Sequence, residues 1–207
     1  MAQVLTPTTT PQTGSAPSFG AHLADPGPLG LAGFALTTFM LSSFNSGLAP
    51  KSAEVVVLGV ALFYGGIAQL CAGMWEFAKG NTFGALAFSS YGAFWMAFWY
   101  LVSNGKNLPT TGTDAAQGIG VFLLAWTIFT LYMTIVASRI SGFLFALFAI
   151  LLVTFAFLTM GEFAGSSAMT HIGGYLGLIT ALVAWYGSFA GVFNATEKRV
   201  VMPTWPR

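Results

Sequence analysis

The sequence predicts an all-α membrane protein, a bundle of six transmembrane helices, and three observations carry that reading. Of 207 residues, 56% are hydrophobic and only 6% are charged, far too few charges to cover a water-facing surface. Six apolar stretches are each long enough for a helix of about 20 residues, the length that crosses about 30 Å of hydrocarbon. None of them shows the sustained period-two alternation of a membrane barrel strand.

Taken in order, residues 1–24 are rich in Thr, Pro, Ser and Gly and carry no Lys or Arg. They lack the basic start and apolar core of a signal peptide and are expected to be a disordered tail. The first span covers 29–48 and opens on D-P-G-P-L-G-L-A-G-F at 25–34. A helix tolerates proline in its first turn, so Pro26 and Pro28 mark a start, with Asp25 as the expected N-cap. The N–H groups of Leu29, Gly30 and Leu31 are expected to lie free beneath glycines, open to something small and negative. Further spans follow at 55–78, 83–102, 118–137, 142–160 and 172–193. The transmembrane domain is thus 25–194, and 195–207 is expected to be a cytoplasmic tail.

Positive charge orients the bundle. Lys79, Arg139, Lys198, Arg199 and Arg207 share one side and Lys51 and Lys106 the other, which puts both termini in the cytoplasm. The net charge of +1 offers nothing to nucleic acid. Water cannot drive helices together inside a bilayer, so glycines that permit close approach mark the packed faces. Gly59, Gly66 and Gly73 define one such face; Gly173 with Gly177 and Gly187 with Gly191 define another. Contacts within one chain and contacts between subunits both suit these faces. No internal repeat supports an inverted-repeat transporter.

Ionisable groups at membrane depth are expensive and therefore informative. Glu76 precedes Lys79 by one helical turn, so a local ion pair competes with a functional role. Glu162 and His171 bracket the connection between the fifth and sixth spans, where either could carry a proton or simply bond to backbone. With no Lys or Arg in mid-span, weak neutral hydrogen bonding remains as the means of guiding a solute. Its donors are Thr37, Thr38, Gln69, Asn81, Thr82, Ser89, Ser90, Tyr91, Thr127, Thr130 and Thr154, several of which could instead bond their own helix backbone. Such a lining suits a small anion or its protonated acid. Catalysis is disfavoured: His22 and His171 lie far apart, Cys71 is the only cysteine, and no metal-ligand spacing or phosphate loop is present. No cofactor is expected. A scaffold without transport is the remaining alternative.

Three blocks carry a family likeness: D-P-G-P-L-G-L at 25–31, F-Y-G-G-I-A-Q at 63–69, and G-N-T-F-G at 80–84 followed by A-F-S-S-Y-G-A-F-W at 87–95. They resemble the acetate uptake transporters, a family that includes bacterial succinate-acetate permeases and yeast ammonia/acetate exporters. The resemblance runs from residue 25 through all six spans. It implies a homo-hexamer in the cell membrane, each subunit enclosing its own pore for acetate and, in some members, succinate, with coupling to protons. A pore for another small solute, such as ammonia or formate, is the runner-up. The resemblance also implies a constriction of Phe, Tyr and Leu, which falls here on Phe34, Tyr91 and Leu151. Apolar side chains at such a point expel water, while the Tyr91 hydroxyl is expected to offer one hydrogen bond to a carboxylate. This chain departs from the family pattern at Asp25, where Asn is usual, and at Gly27, where Ala is usual.

Overall fold

The structure is a computed structural model that describes residues 19–105 and 113–207. The expected disorder of 1–18, and the charge of Lys106, lie outside the described residues. Among the described residues six helical spans are present: α1 (Gly27–Asn45), a composite second span (Lys51–Lys79), α4 (Thr82–Ser103), α5 (Thr113–Ala137), α6 (Gly142–Ala164) and α7 (Ser167–Glu197). All six are long and apolar enough to cross a membrane. Among the described residues the only β feature is an isolated bridge between Ser141 and Pro206.

Local chemistry sets the helix ends. Asn81 accepts from Gly84 N at 3.1 Å, Ser141 from Leu144 N at 3.1 Å and Ser166 from Met169 N at 3.5 Å, side-chain caps for α4, α6 and α7. Gly80, at φ 76°, ends the second span in the left-handed conformation that glycine adopts without penalty. The spans exceed the apolar runs, most of all α7, because helical hydrogen bonding continues through polar residues beyond the hydrocarbon. α1 instead ends at Asn45, three residues short of the expected 48, and its N-cap is Pro26, one residue after the expected Asp25.

The second span is not one regular helix. A 3-10 turn (Lys51–Val56) leads into α2 (Val57–Leu62), a π-helical segment (Phe63–Ala68) and α3 (Gln69–Lys79). The π segment coincides with the F-Y-G-G-I-A block. It turns Tyr64 O toward α1, where a Cβ on Gly33 would stand 2.6 Å from that oxygen. On the facing surface Gly65 accommodates Thr37, which donates to Gly33 O at 2.8 Å.

The spans close a ring. α1 packs along α7, α7 along α6, α6 along α5, and the second span lies between α1 and α4. Aromatic rings complete the α4–α5 seam: Tyr91 meets Phe129 at 5.3 Å between centroids, and Phe94 meets Phe122 at 5.6 Å. Most of the glycine positions serve this ring. Gly66 faces Met96, Gly73 faces Ser89, Gly173 faces Leu158, Gly177 faces Ser42, Gly187 faces Phe143 and Gly191 faces Pro28. Only Gly59 of those two faces has no neighbour within 4 Å.

Both expected tails contain ordered structure. Phe19–His22 form a 3-10 turn near the end of α3, and Lys79 Nζ donates to Leu23 O at 3.4 Å. Residues 198–207 fold back as a strap across the α5–α6 turn. Asn194 holds it with three bonds of 2.8 Å, accepting from Val201 N and Met202 N and donating to Met202 O. Gly142 N donates to Trp205 O at 2.8 Å and Arg207 N to Ile140 O at 3.0 Å.

The α1–α7 approach yields a stability test. Gly174 lies directly against the Asn45–Ser46 backbone, so Gly174→Ala must push the two helices apart, whereas Gly118 on α5 has open space around it. Thermal denaturation in detergent is expected to show a loss of about 1–3 kcal/mol for Gly174→Ala and none for Gly118→Ala.

Candidate functional site: a line of cavities through the bundle

Three cavities lie end to end inside the helical ring. The first, about 190 Å³, is bounded by Asp25, Glu76 and Asn81 at its charged end and by Phe34, Tyr91 and Leu151 among its apolar walls. The second, about 40 Å³, shares Phe34 and Leu151 with the first and adds Thr38, Ser42 and Thr154. The third, about 370 Å³, shares Leu41, Asn45, Phe94, Phe155 and Leu158 with the second and ends at Lys51, Glu54 and Glu162. A solute following this line crosses the bundle from the Asp25 end to the Lys51 end.

Phe34 from α1 and Leu151 from α6 line both of the first two cavities, and Tyr91 from α4 lines the first; all three are buried. The Phe34 and Tyr91 rings are 5.7 Å apart and tilted by 57°. Phe148 backs Tyr91 at 6.1 Å. The Tyr91 hydroxyl does not face the cavity as expected: it lies 2.8 Å from Thr130 Oγ1. Thr130 in turn donates to Trp126 O at 2.7 Å, so its single proton is committed and Tyr91 must be the donor. That bond fixes the ring's edge, leaving the ring face rather than the hydroxyl as Tyr91's contribution.

The charged end is built by the turn between α3 and α4. Asn81 both caps α4 and donates from Nδ2 to Glu76 Oε2 at 2.9 Å. Glu76 is buried, 3% exposed, and Gly27 and Gly84 leave room for its carboxylate. Glu76 therefore pairs with Asn81 rather than with Lys79. Asp25 Oδ1 accepts from Gly27 N at 3.1 Å, which turns this carboxylate onto the start of its own helix.

Other expected contacts fall elsewhere. Gly30 N donates to Pro26 O at 3.1 Å and the residue is packed against Phe88, so no free N–H is presented there. Pro26 is the N-cap, and the Gly30 N–H is the first to find a helical acceptor on it. Leu29 points outward, 43% exposed, while Leu31 lines the first cavity. Thr38 and Thr154 border the second cavity; Thr37, Gln69, Thr82 and Ser90 border none of the three. Thr38 Oγ1 has no partner, whereas Thr154 donates to Ile150 O at 2.9 Å. Thr127 likewise bonds its own helix, at Leu123 O, 2.8 Å away. Thus most threonine hydroxyls satisfy the backbone. Glu162 lies at the far end of the line, and His171 lines a separate cavity beside Gly47 and Lys51. Glu76 sits at the opposite end, so the three do not form one relay.

The chain matches the GPR1/FUN34/yaaH family over residues 7–206. It belongs to that family. The succinate-acetate/proton symporter SatP of Escherichia coli is 41% identical over 184 residues, 87% of this chain and 95% of that protein. The ammonia transport outward protein 2 of Saccharomyces cerevisiae is 41% identical over 195 residues, 91% of this chain and 68% of that protein. A solved structure of the bacterial acetate channel SatP superposes with a TM-score of 0.81 at 40% identity, covering 88% of this chain and 99% of that one. This family member is an integral, multi-pass membrane protein.

The strap and the π segment escaped the sequence reading. An Asn three residues before the helix end was the only local sign of the strap, and the paired glycines at 65 and 66 were the sign of the π turn. Asn81 tests the charged end: Asn81→Ala removes both the cap and the Glu76 donor, while Asn81→Ser keeps a capping oxygen. Thermal denaturation is expected to show a loss of about 1–2 kcal/mol for Ala and a smaller loss for Ser.

Proposed function

We propose that this chain conducts acetate and similar small monocarboxylates through the line of cavities, with Phe34, Tyr91 and Leu151 as the constriction. The observation that carries the reading is that Phe34 and Leu151 line both the first cavity and the small second one, with Tyr91 packed against Phe34 on the first. The names of the relatives, acetate channel and succinate-acetate/proton symporter, support the substrate class.

The physics of the constriction fits a small acid. An apolar ring offers no replacement for the water of a hydrated ion, so inorganic ions meet a steep desolvation barrier. A monocarboxylate has one compact charged end and an apolar remainder, and its protonated form sheds water far more cheaply. Asn81 and the unpartnered Thr38 hydroxyl supply polar contacts on either side of the ring. Glu76 borders the cavity directly above it and is the group we assign to proton linkage, ahead of Glu162 and His171.

The five cations on the Asp25 side support cytoplasmic termini in the cell membrane. A homo-hexamer with one pore per subunit is supported by an unfilled surface on the second span, where Gly59 has open space beside exposed Val55, Val56 and Phe63. No step here calls for catalysis or a cofactor.

Labelled acetate uptake into proteoliposomes, with and without an imposed pH gradient, tests the reading. Uptake above empty vesicles is expected. Phe34→Ala should widen the ring, raising acetate flux and admitting larger acids. Absence of wild-type uptake under both conditions defeats the proposal, and an unchanged size limit in Phe34→Ala removes Phe34 from the constriction.

A further inference from the structure

The strap does more than end the chain. It forms one wall of a wide outer cavity of about 660 Å³ that shares Asp25, Gly27, Leu31 and Leu144 with the cavity above the ring. Anything reaching the ring from this side by way of the outer cavity therefore passes the strap. Two of the strap's residues that line this chamber are cationic, Lys198 and Arg199. Phe143 and Leu144 line the chamber as well, so cationic and apolar groups share one space. That combination matches a small carboxylate, whose charged end and hydrocarbon end need different neighbours.

The two cations are poorly neutralised. Arg199 approaches Glu197 only to 3.8 Å, with its side chain 74% exposed. Lys198 forms no ion pair among the described residues, and its backbone takes the left-handed conformation at φ 55°, unusual for a residue with a side chain. This turn reverses the chain between α7 and the strap, which places both side chains on the chamber. The opposing carboxylate, Asp25, is engaged by Gly27 N. No bond that anchors the strap uses the Lys198 or Arg199 side chain; Asn194, Gly142 and Ile140 provide those anchors.

We propose that the strap is the vestibule wall of the pore and that Lys198 and Arg199 form a capture site for carboxylate anions outside the constriction. The site concentrates the anion by charge, in a chamber too large to select by size, and the smaller cavity at the ring then discriminates. Because a mouth charge acts on encounter rather than on passage through the ring, it changes the concentration needed for half-maximal flux and leaves the maximal flux alone. This inference rests on the transport reading above.

The test uses full-length protein in neutral phosphatidylcholine vesicles, captured by a tag ahead of Met1 so that the strap face is outside. Initial acetate uptake is measured at low ionic strength and in 1 M chloride, where the screening length is about 3 Å. Lys198→Gln combined with Arg199→Gln is expected to raise KM about three- to tenfold at low ionic strength with an unchanged maximal rate. The difference from wild type should vanish in 1 M chloride. Lys198→Arg combined with Arg199→Lys should behave as wild type, as should Arg139→Gln, which removes an exposed cation outside the chamber. An unchanged KM in the double Gln variant overturns the proposal. So does an equal rise in the charge-preserving variant, which would assign the effect to strap shape, or in Arg139→Gln, which would assign it to diffuse surface charge. Inactive wild-type protein defeats the transport reading itself, whereas active wild type with an indifferent double variant defeats the capture site alone.

Discussion

The position of α1 governs the rest of the structure, and it is set by backbone approaching backbone. Inside a bilayer there is no water to squeeze out between helices, so close contact through small residues has to supply the packing. On one flank Gly174 and Gly177 let α7 reach Ser46 and Ser42; on the other Gly33 receives Tyr64 O from the π segment, and Gly65 receives Thr37. A helix held on both sides in this way can neither rotate nor slide without steric conflict. Phe34 follows Gly33 directly, so the same contacts that hold α1 aim its ring at Tyr91 and Leu151. The π segment belongs to this arrangement: a regular helix would not turn the Tyr64 carbonyl toward α1 at that level.

Charge and apolar surface are then distributed along the path in a definite order. Cations stand outside: Lys198 without an ion pair among the described residues, and Arg199 at 3.8 Å from Glu197. Carboxylates with hydrogen-bond partners, Asp25 and Glu76, come next, followed by an apolar ring and a small chamber holding one unpartnered hydroxyl. Beyond it the far chamber is again charged, with Lys51 and Glu54 paired at 2.8 Å. A solute taking this path meets the apolar ring between chambers that carry polar groups. The Tyr91–Thr130 bond matters here because it turns the hydroxyl away from the cavity, so the constriction proposed above would work by shape and dryness rather than by binding.

Much of this was legible in the residues. Six spans follow from length and apolarity, since a chain with so few charges has no other way to be stable. The D-P-G-P start located α1, and the likeness of the S-S-Y-G block brought Tyr91 to the same point as Phe34 and Leu151. What sequence reasoning missed depended on contacts between distant segments. Gly30 looked open because it lies among the glycines of the first turn, yet its N–H reaches the N-cap carbonyl of Pro26. Thr37 looked like a pore donor, yet the residue that decides its direction is Gly65 on another span. The strap reads in sequence only as a tail because its anchors, Asn194 and the α5–α6 turn, gain meaning only once α7 is folded. A tyrosine hydroxyl likewise has no direction in a sequence, and Thr130 lies 39 positions away.

Under the transport reading, the line of cavities is sealed at one level by Phe34, Tyr91 and Leu151. Sidedness of thiol labelling tests it directly, in a background where Cys71 is replaced by Ala and a single cysteine is placed at Ala87, in the first cavity, or at Thr38, in the second. A membrane-impermeant charged thiol reagent is added from either face. With the path sealed there, the Ala87→Cys protein reacts only from the Asp25 face and the Thr38→Cys protein only from the Lys51 face. Reaction of both positions from the same face would contradict it.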